Sequence, residues 1–131
     1  MKLLYLSVFF ILFNGVANAQ VGQLDKIADL VGHGNIHELA KLFAPNIEVT
    51  IADDENFYSQ AQAEIILDKF FAQNKMRSVK ILHKIISNPN YGFGVLLVDT
   101  DKGPYRLAYT LKDTGGTLQV IELRIGEEKV K

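Results

Sequence analysis

After Lys75 the apolar residues change period, and no other feature constrains the fold as much. Before it they recur at helical spacing: Leu24, Ile27, Ala28 and Val31; Ile36, Leu39, Ala40 and Phe43; Ala63, Ile66, Leu67 and Phe70. Positions i, i+3, i+4 and i+7 share one face of a helix, so each set predicts an amphipathic helix with one apolar stripe. Ser59, with Gln62 three residues on, has the pattern of a capping box and starts the third helix. After Lys75 the period is two. "VKILHKII" (79–86), "YGFGVLLVDT" (91–100), "YRLAYTLK" (105–112) and "TLQVIELRI" (117–125) read as strands, and "IEVTIA" (47–52) reads as one more between the second and third helices. The late strands are separated by Asn88-Pro89-Asn90, Asp101-Lys102-Gly103-Pro104 and Asp113-Thr114-Gly115-Gly116, short turn-forming breaks that favour antiparallel hairpins. Helices grouped ahead of a meandering sheet predict an α+β domain, with three N-terminal helices on one face of a mostly antiparallel sheet. The final "GEEKVK" is expected to fray into solvent.

The first twenty residues, "MKLLYLSVFFILFNGVANAQ", fit a secretory signal peptide. Lys2 supplies a basic start, Leu3 to Phe13 an apolar run, and Ala17-Asn18-Ala19 a small-residue cleavage site. A bilayer span needs roughly 20 apolar residues, and Asn14 and Gly15 end this run well short. Residues 1–19 are therefore expected to be removed. One domain over 20–131 remains, secreted or periplasmic, with no membrane span.

The whole chain carries 14 basic and 15 acidic residues, a net charge of −1, and losing Lys2 would make it −2. A balance this close to neutral, without a basic run, argues against nucleic acid as a partner, because phosphate binding rests on clustered Lys and Arg. The chain has no cysteine. Disulfides and thiolate metal sites are thereby excluded, and stability must come from an apolar core or a partner subunit.

His33 and His37 stand four apart in "GHGNIHEL" (32–39). Two histidines at that spacing chelate zinc only on one continuous helix. Here Gly32 or Gly34 can close the first helix in a left-handed conformation, and Asn35 with Glu38 can cap the second. The helix is broken between the histidines, so both are read as solvated turn residues and no metal site is assigned. There is no G-x-S-x-G, P-loop or G-x-G-x-x-G, and no cofactor is implied. Gly92 and Gly94 in "GFG" lie within a strand pattern and mark a bulge or bend.

If the odd positions of the late strands form one face, that face holds Val79, Ile81, His83 and Ile85; Tyr91, Phe93, Val95, Leu97 and Asp99; Tyr105, Leu107, Tyr109 and Leu111; and Gln119, Ile121, Leu123 and Ile125. It is apolar with a few polar tips and is expected to meet the helices. His83, Tyr105, Tyr109 and Gln119 would then converge on an apolar cavity, the usual description of a ligand site. Buried His and Tyr groups more often satisfy neighbouring backbone than bind substrate. The opposite face mixes Lys80, Lys84, Arg106, Lys112, Glu122 and Arg124 with Leu82, Ile86, Leu96, Val98, Ala108, Leu118 and Val120. Large apolar patches are rarely left exposed, so either bulges turn some of these residues inward or a second copy covers the outer sheet face as a homodimer.

The segment "LVGHGNIHELAKLFAPNIEVTI" (30–51), a helix, a glycine turn, a short helix ending in Leu-Phe and a first strand, resembles the start of the nuclear transport factor two-like superfamily, which includes ketosteroid isomerase and the SnoaL-like cyclases. "YSQAQAEIILDKFFAQN" (58–74) resembles its third helix, and the four late strands match in number and order. More narrowly, "YSQAQAEIILDKFF", "GPYRLAYTLK" and "VIELRI" are similar to a domain-of-unknown-function family of small secreted bacterial proteins. The resemblance implies a cone: a curved sheet closed by helices, cystatin-like in outline. Relatives with this fold bind small molecules in the cone, catalyse isomerisation or dehydration there, or act as dimeric binding modules. Their enzymes hold a carboxylate or a His–Asp pair inside the cone, and no mid-strand carboxylate faces inward on the odd-position reading.

Three functional expectations follow. The first is a non-catalytic binding module for a small apolar or amphipathic ligand or a protein partner. The second is an isomerase- or dehydratase-like enzyme with His83 as base and Tyr105 or Tyr109 as donor, which requires a buried His83 within reach of a tyrosine. The third is a structural or assembly subunit joined through the sheet face.

Overall fold

Leu24, Ile27, Ala28 and Val31 are all buried on helix α1, which occupies residues 22–32. The structure, a computed structural model, describes residues 22–128. The expected leader, 1–19, lies outside the described residues. No helix among the described residues is long and apolar enough to cross a membrane.

Helix α1 ends on Gly34, whose φ of 68° is left-handed. Asn35 N–H donates to Leu30 O at 2.9 Å and Gly34 N–H to Val31 O at 3.0 Å, the paired bonds of a Schellman motif. Helix α2 (Ile36–Ala40) starts at once, with Asn35 Oδ1 accepting from Glu38 N–H at 3.3 Å. Only this half of the expected capping box forms. The Asn35 N–H is already held by Leu30 O, and the Glu38 side chain bonds Lys41 at 2.9 Å. Phe43, expected on the α2 stripe, instead opens strand β1 (Phe43–Ile51) and is fully buried there.

Strand β2 (Asp54–Ser59) pairs with β1 across the two-residue turn Ala52-Asp53. The turn does not announce this strand, since it lacks the Asn-Gly signature and Ala52 itself takes φ 56°. Helix α3 (Gln60–Gln73) begins with both halves of the box at Ser59: Gln62 N–H donates to Ser59 Oγ at 3.2 Å, and Ser59 N–H to Gln62 Oε1 at 3.1 Å. Ala63, Leu67 and Phe70 are its buried stripe. Strands β3 (Met76–Asn88), β4 (Tyr91–Thr100), β5 (Gly103–Asp113) and β6 (Leu118–Glu127) complete a six-stranded sheet. Its order is β2-β1-β6-β5-β4-β3, antiparallel except for the parallel β1–β6 pair. The 126–128 stretch is not frayed. Glu128 N–H donates to Pro104 O, and Glu128 pairs with Arg106.

The odd-position face holds for β5, where Leu107, Tyr109 and Leu111 are buried beneath the helices. It fails for β4. Residues directly opposite across a ladder share a face, and Leu107 faces Leu96, Tyr109 faces Gly94 and Leu111 faces Gly92. The even residues of β4 therefore point inward, and Tyr91, Phe93, Val95, Leu97 and Asp99 lie on the convex side. Turn length is the cause. Thr100 pairs with Gly103 over a two-residue turn, and such a turn matches positions of opposite parity. Bulges shift parity again within β3 and β6. Ile81 pairs with Leu96 but His83 with Val95, so Leu82 is an extra residue that carries His83 to the convex face. Thr110 pairs with Glu122 but Leu111 with Val120, so Val120 turns into the core and Gln119 out of it.

Candidate functional site

A concavity of about 350 Å3 lies between α3 and the β1–β2 hairpin, on the inward side of the sheet. Val49 and Ile51 from β1 and Ile66 and Phe70 from α3 give it an apolar floor, while Asp54 and Tyr58 from β2 and Lys69 and Gln73 from α3 supply polar groups. Strand alternation puts these residues on one side. Tyr58 stands opposite Ile47 and Asp54 opposite Ile51, so Asp54, Asn56 and Tyr58 share the inward side of β1, while Glu55 and Phe57 face outward. Asp54 Oδ1 accepts from Asn56 Nδ2 at 2.9 Å. Asp54 and Lys69 place opposite charges on a single rim above an apolar floor. That arrangement suits a molecule with an apolar body and a polar end.

The four residues expected to form a pocket are not brought together. His83 is exposed on the convex face, opposite Val95. Tyr109 is buried over α1; its hydroxyl donates to Leu24 O at 2.9 Å, and burial, with Asp25 adding to it, pushes the phenol well above its ordinary range. Tyr105 donates to Asn74 Oδ1 at 3.0 Å, and its ring meets Phe70 edge-on at 5.1 Å, one side chain away from the cleft. Gln119 accepts from Thr114 Oγ1 at the β5–β6 turn. The base-and-donor arrangement of His83 with a tyrosine does not form. The interior where it was expected is filled by Leu24 and Leu111 packed on Gly92 and by the Tyr109 ring packed on Gly94.

The two turn histidines are separated by the helix break. His33 Nδ1 is 2.7 Å from Asp29 O, and His37 Nδ1 is 3.1 Å from Glu64 on α3. Both are exposed. Among the described residues no group of three or more His, Cys, Asp or Glu could hold a metal ion. Sequence reasoning missed the cleft because it missed β2, which contributes Asp54 and Tyr58. The one usable signal was the Phe57-Tyr58 pair directly before the Ser59 cap.

A helical layer on a six-stranded, mostly antiparallel curved sheet places the protein in the nuclear transport factor two-like, cystatin-like class of α+β folds. An uncharacterised Caulobacter vibrioides protein with a cystatin-like fold superimposes with a TM-score of 0.64 at 12% identity, over 86% of this chain and 89% of that one. Residues 24–126 match the family described as Domain of unknown function (DUF4783), and the chain belongs to it. Crystal structures of DUF4783 family proteins from Bacteroides ovatus and Bacteroides fragilis are similar in fold. The first has a TM-score of 0.75 at 17% identity, covering 79% of this chain and 94% of that one. The second has a TM-score of 0.73 at 19% identity, covering 78% and 95%. No curated protein matches the chain.

Proposed function

We propose that the protein is a non-catalytic binding module whose cleft between α3 and the β1–β2 hairpin takes a small apolar or amphipathic ligand. The observation that carries this reading is the composition of the cleft: Val49, Ile51, Ile66 and Phe70 beneath a rim of Asp54, Lys69 and Gln73. Thermal unfolding with a panel of fatty acids and alkyl amines tests it. At ten times its dissociation constant a ligand stabilises by about 1.4 kcal/mol, or roughly 5 °C for a domain of this size. Ile66→Glu, at a half-buried position on the cleft wall, should abolish the shift. A panel that leaves the melting temperature unmoved overturns the reading.

A second reading is assembly through the convex sheet face. It is favoured by Ile85, 51% exposed, which stands opposite the half-buried Phe93, with the half-buried Leu97 and Ala108 on the same face. Sedimentation velocity should then show a dimer that Phe93→Glu splits, and a monomer at high concentration sinks the idea. The proposed location is secreted or periplasmic, after cleavage behind Ala19. The intact mass of the exported chain checks the cleavage point.

A further inference from the structure

On the other side of the sheet a second concavity, about 250 Å3, lies where β1, β6 and β5 run side by side. We propose that it binds the carboxylate of a small zwitterion of about amino-acid size. Thr50 lines it and is only 7% exposed, yet its hydroxyl has no hydrogen-bond partner among the described residues. A buried hydroxyl is costly to leave unpaired, and such a group calls for a water, an ion or a ligand. Arg124 stands beside Thr50 across the parallel seam and opposite Ala108 on β5. It is exposed and holds no side chain in a hydrogen bond or close ion pair among the described residues, although its charge is felt by Glu48 on the same face.

Arg106, on the other flank, differs. Its Nε and Nη2 already hold both oxygens of Glu128, at 2.7 and 3.2 Å. Arg124 is thus the guanidinium left to receive an outside carboxylate, whose two oxygens match its parallel donors, while Thr50 can supply a third. Ala108 and Gly126 keep the floor low between the two arginines. Glu127 also lines the concavity. Arg124 and Glu127, with Glu48 also within reach of the Arg124 charge, give a field of mixed sign, which receives a zwitterion better than a dianion. The site is independent of the cleft, which opens on the opposite face.

Titrating the 15N-labelled protein with glycine, and separately with inorganic phosphate at matched ionic strength, tests this by NMR. Glycine should give saturable shifts at the Thr50, Arg124 and Gly126 amides. Arg124→Lys should weaken binding about tenfold and Thr50→Val several-fold, whereas Thr50→Ser, which keeps the hydroxyl, should bind like the parent. Shifts that never saturate overturn the proposal. So do shifts that survive both Arg124→Lys and Thr50→Val, or phosphate binding as tight as glycine.

Discussion

Gly94 is a residue whose missing side chain decides a packing arrangement. A Cβ there would sit 2.5 Å from the Tyr109 hydroxyl oxygen and 2.8 Å from its Cε2. The ring cannot yield cheaply, because its hydroxyl is bonded to Leu24 O and the side chain is 1% exposed. Gly94→Ala should therefore destabilise by about 2–4 kcal/mol in chemical denaturation. In a Tyr109→Leu background the same substitution should cost much less, and equal costs in both backgrounds would refute the contact. A second residue-scale expectation concerns Glu48 on the convex face. Its hydrogen bond to Glu55, with desolvation and the nearby charges of Glu55 and Glu122, holds its carboxyl above the ordinary value, while Arg124 opposes the shift. A carboxyl whose folded pKa is raised contributes stability while protonated and loses it as pH rises through that value. Glu48→Gln should thus stabilise the protein at neutral pH, with the gain vanishing in acid. A melting-temperature series against pH checks the sign.

At the scale of the element, local chemistry was legible where a signal and its consequence lie a few residues apart. The Ser59–Gln62 box formed as its spacing required, and Ser59→Ala should cost about 1 kcal/mol, measured by urea unfolding. The Asn35 box formed only by half, because the preceding helix's end had already taken the Asn35 N–H. Strand β2 was hard to read, with Phe57-Tyr58 its one signal: "DENFYS" has polar residues on its inward side, where they line an open cleft rather than a core. The four late strands were legible as strands. Their faces were not, because parity passes from strand to strand through turn length and bulges. One two-residue turn and the extra residue at Leu82 were enough to turn His83 outward.

At the scale of the whole molecule, the core is where α1, α2 and α3 meet the inner sides of β1, β6, β5 and β4, and the sheet's two edges, β2 and β3, reach it only through the partly buried Tyr58, Met76 and Val79. Every residue of β2 except Tyr58 is exposed, whereas β4 and β5 alternate through buried positions. Native-state hydrogen exchange should therefore be slowest in β4, β5 and β6 and fastest among the strands in β2, which forms one wall of the cleft. Uniform protection across the sheet would contradict that order.

The sequence by itself determined the α+β class, the three helices, the late strands and the Ser59 cap, because each depends on the period or spacing of residues near one another in the chain. Only the tertiary structure decided which residues share a surface. Tyr109 closes on Leu24, His83 meets solvent, and Asp54 joins Lys69 around a cleft, because those relations are set by the register between strands and by helices that pack across them.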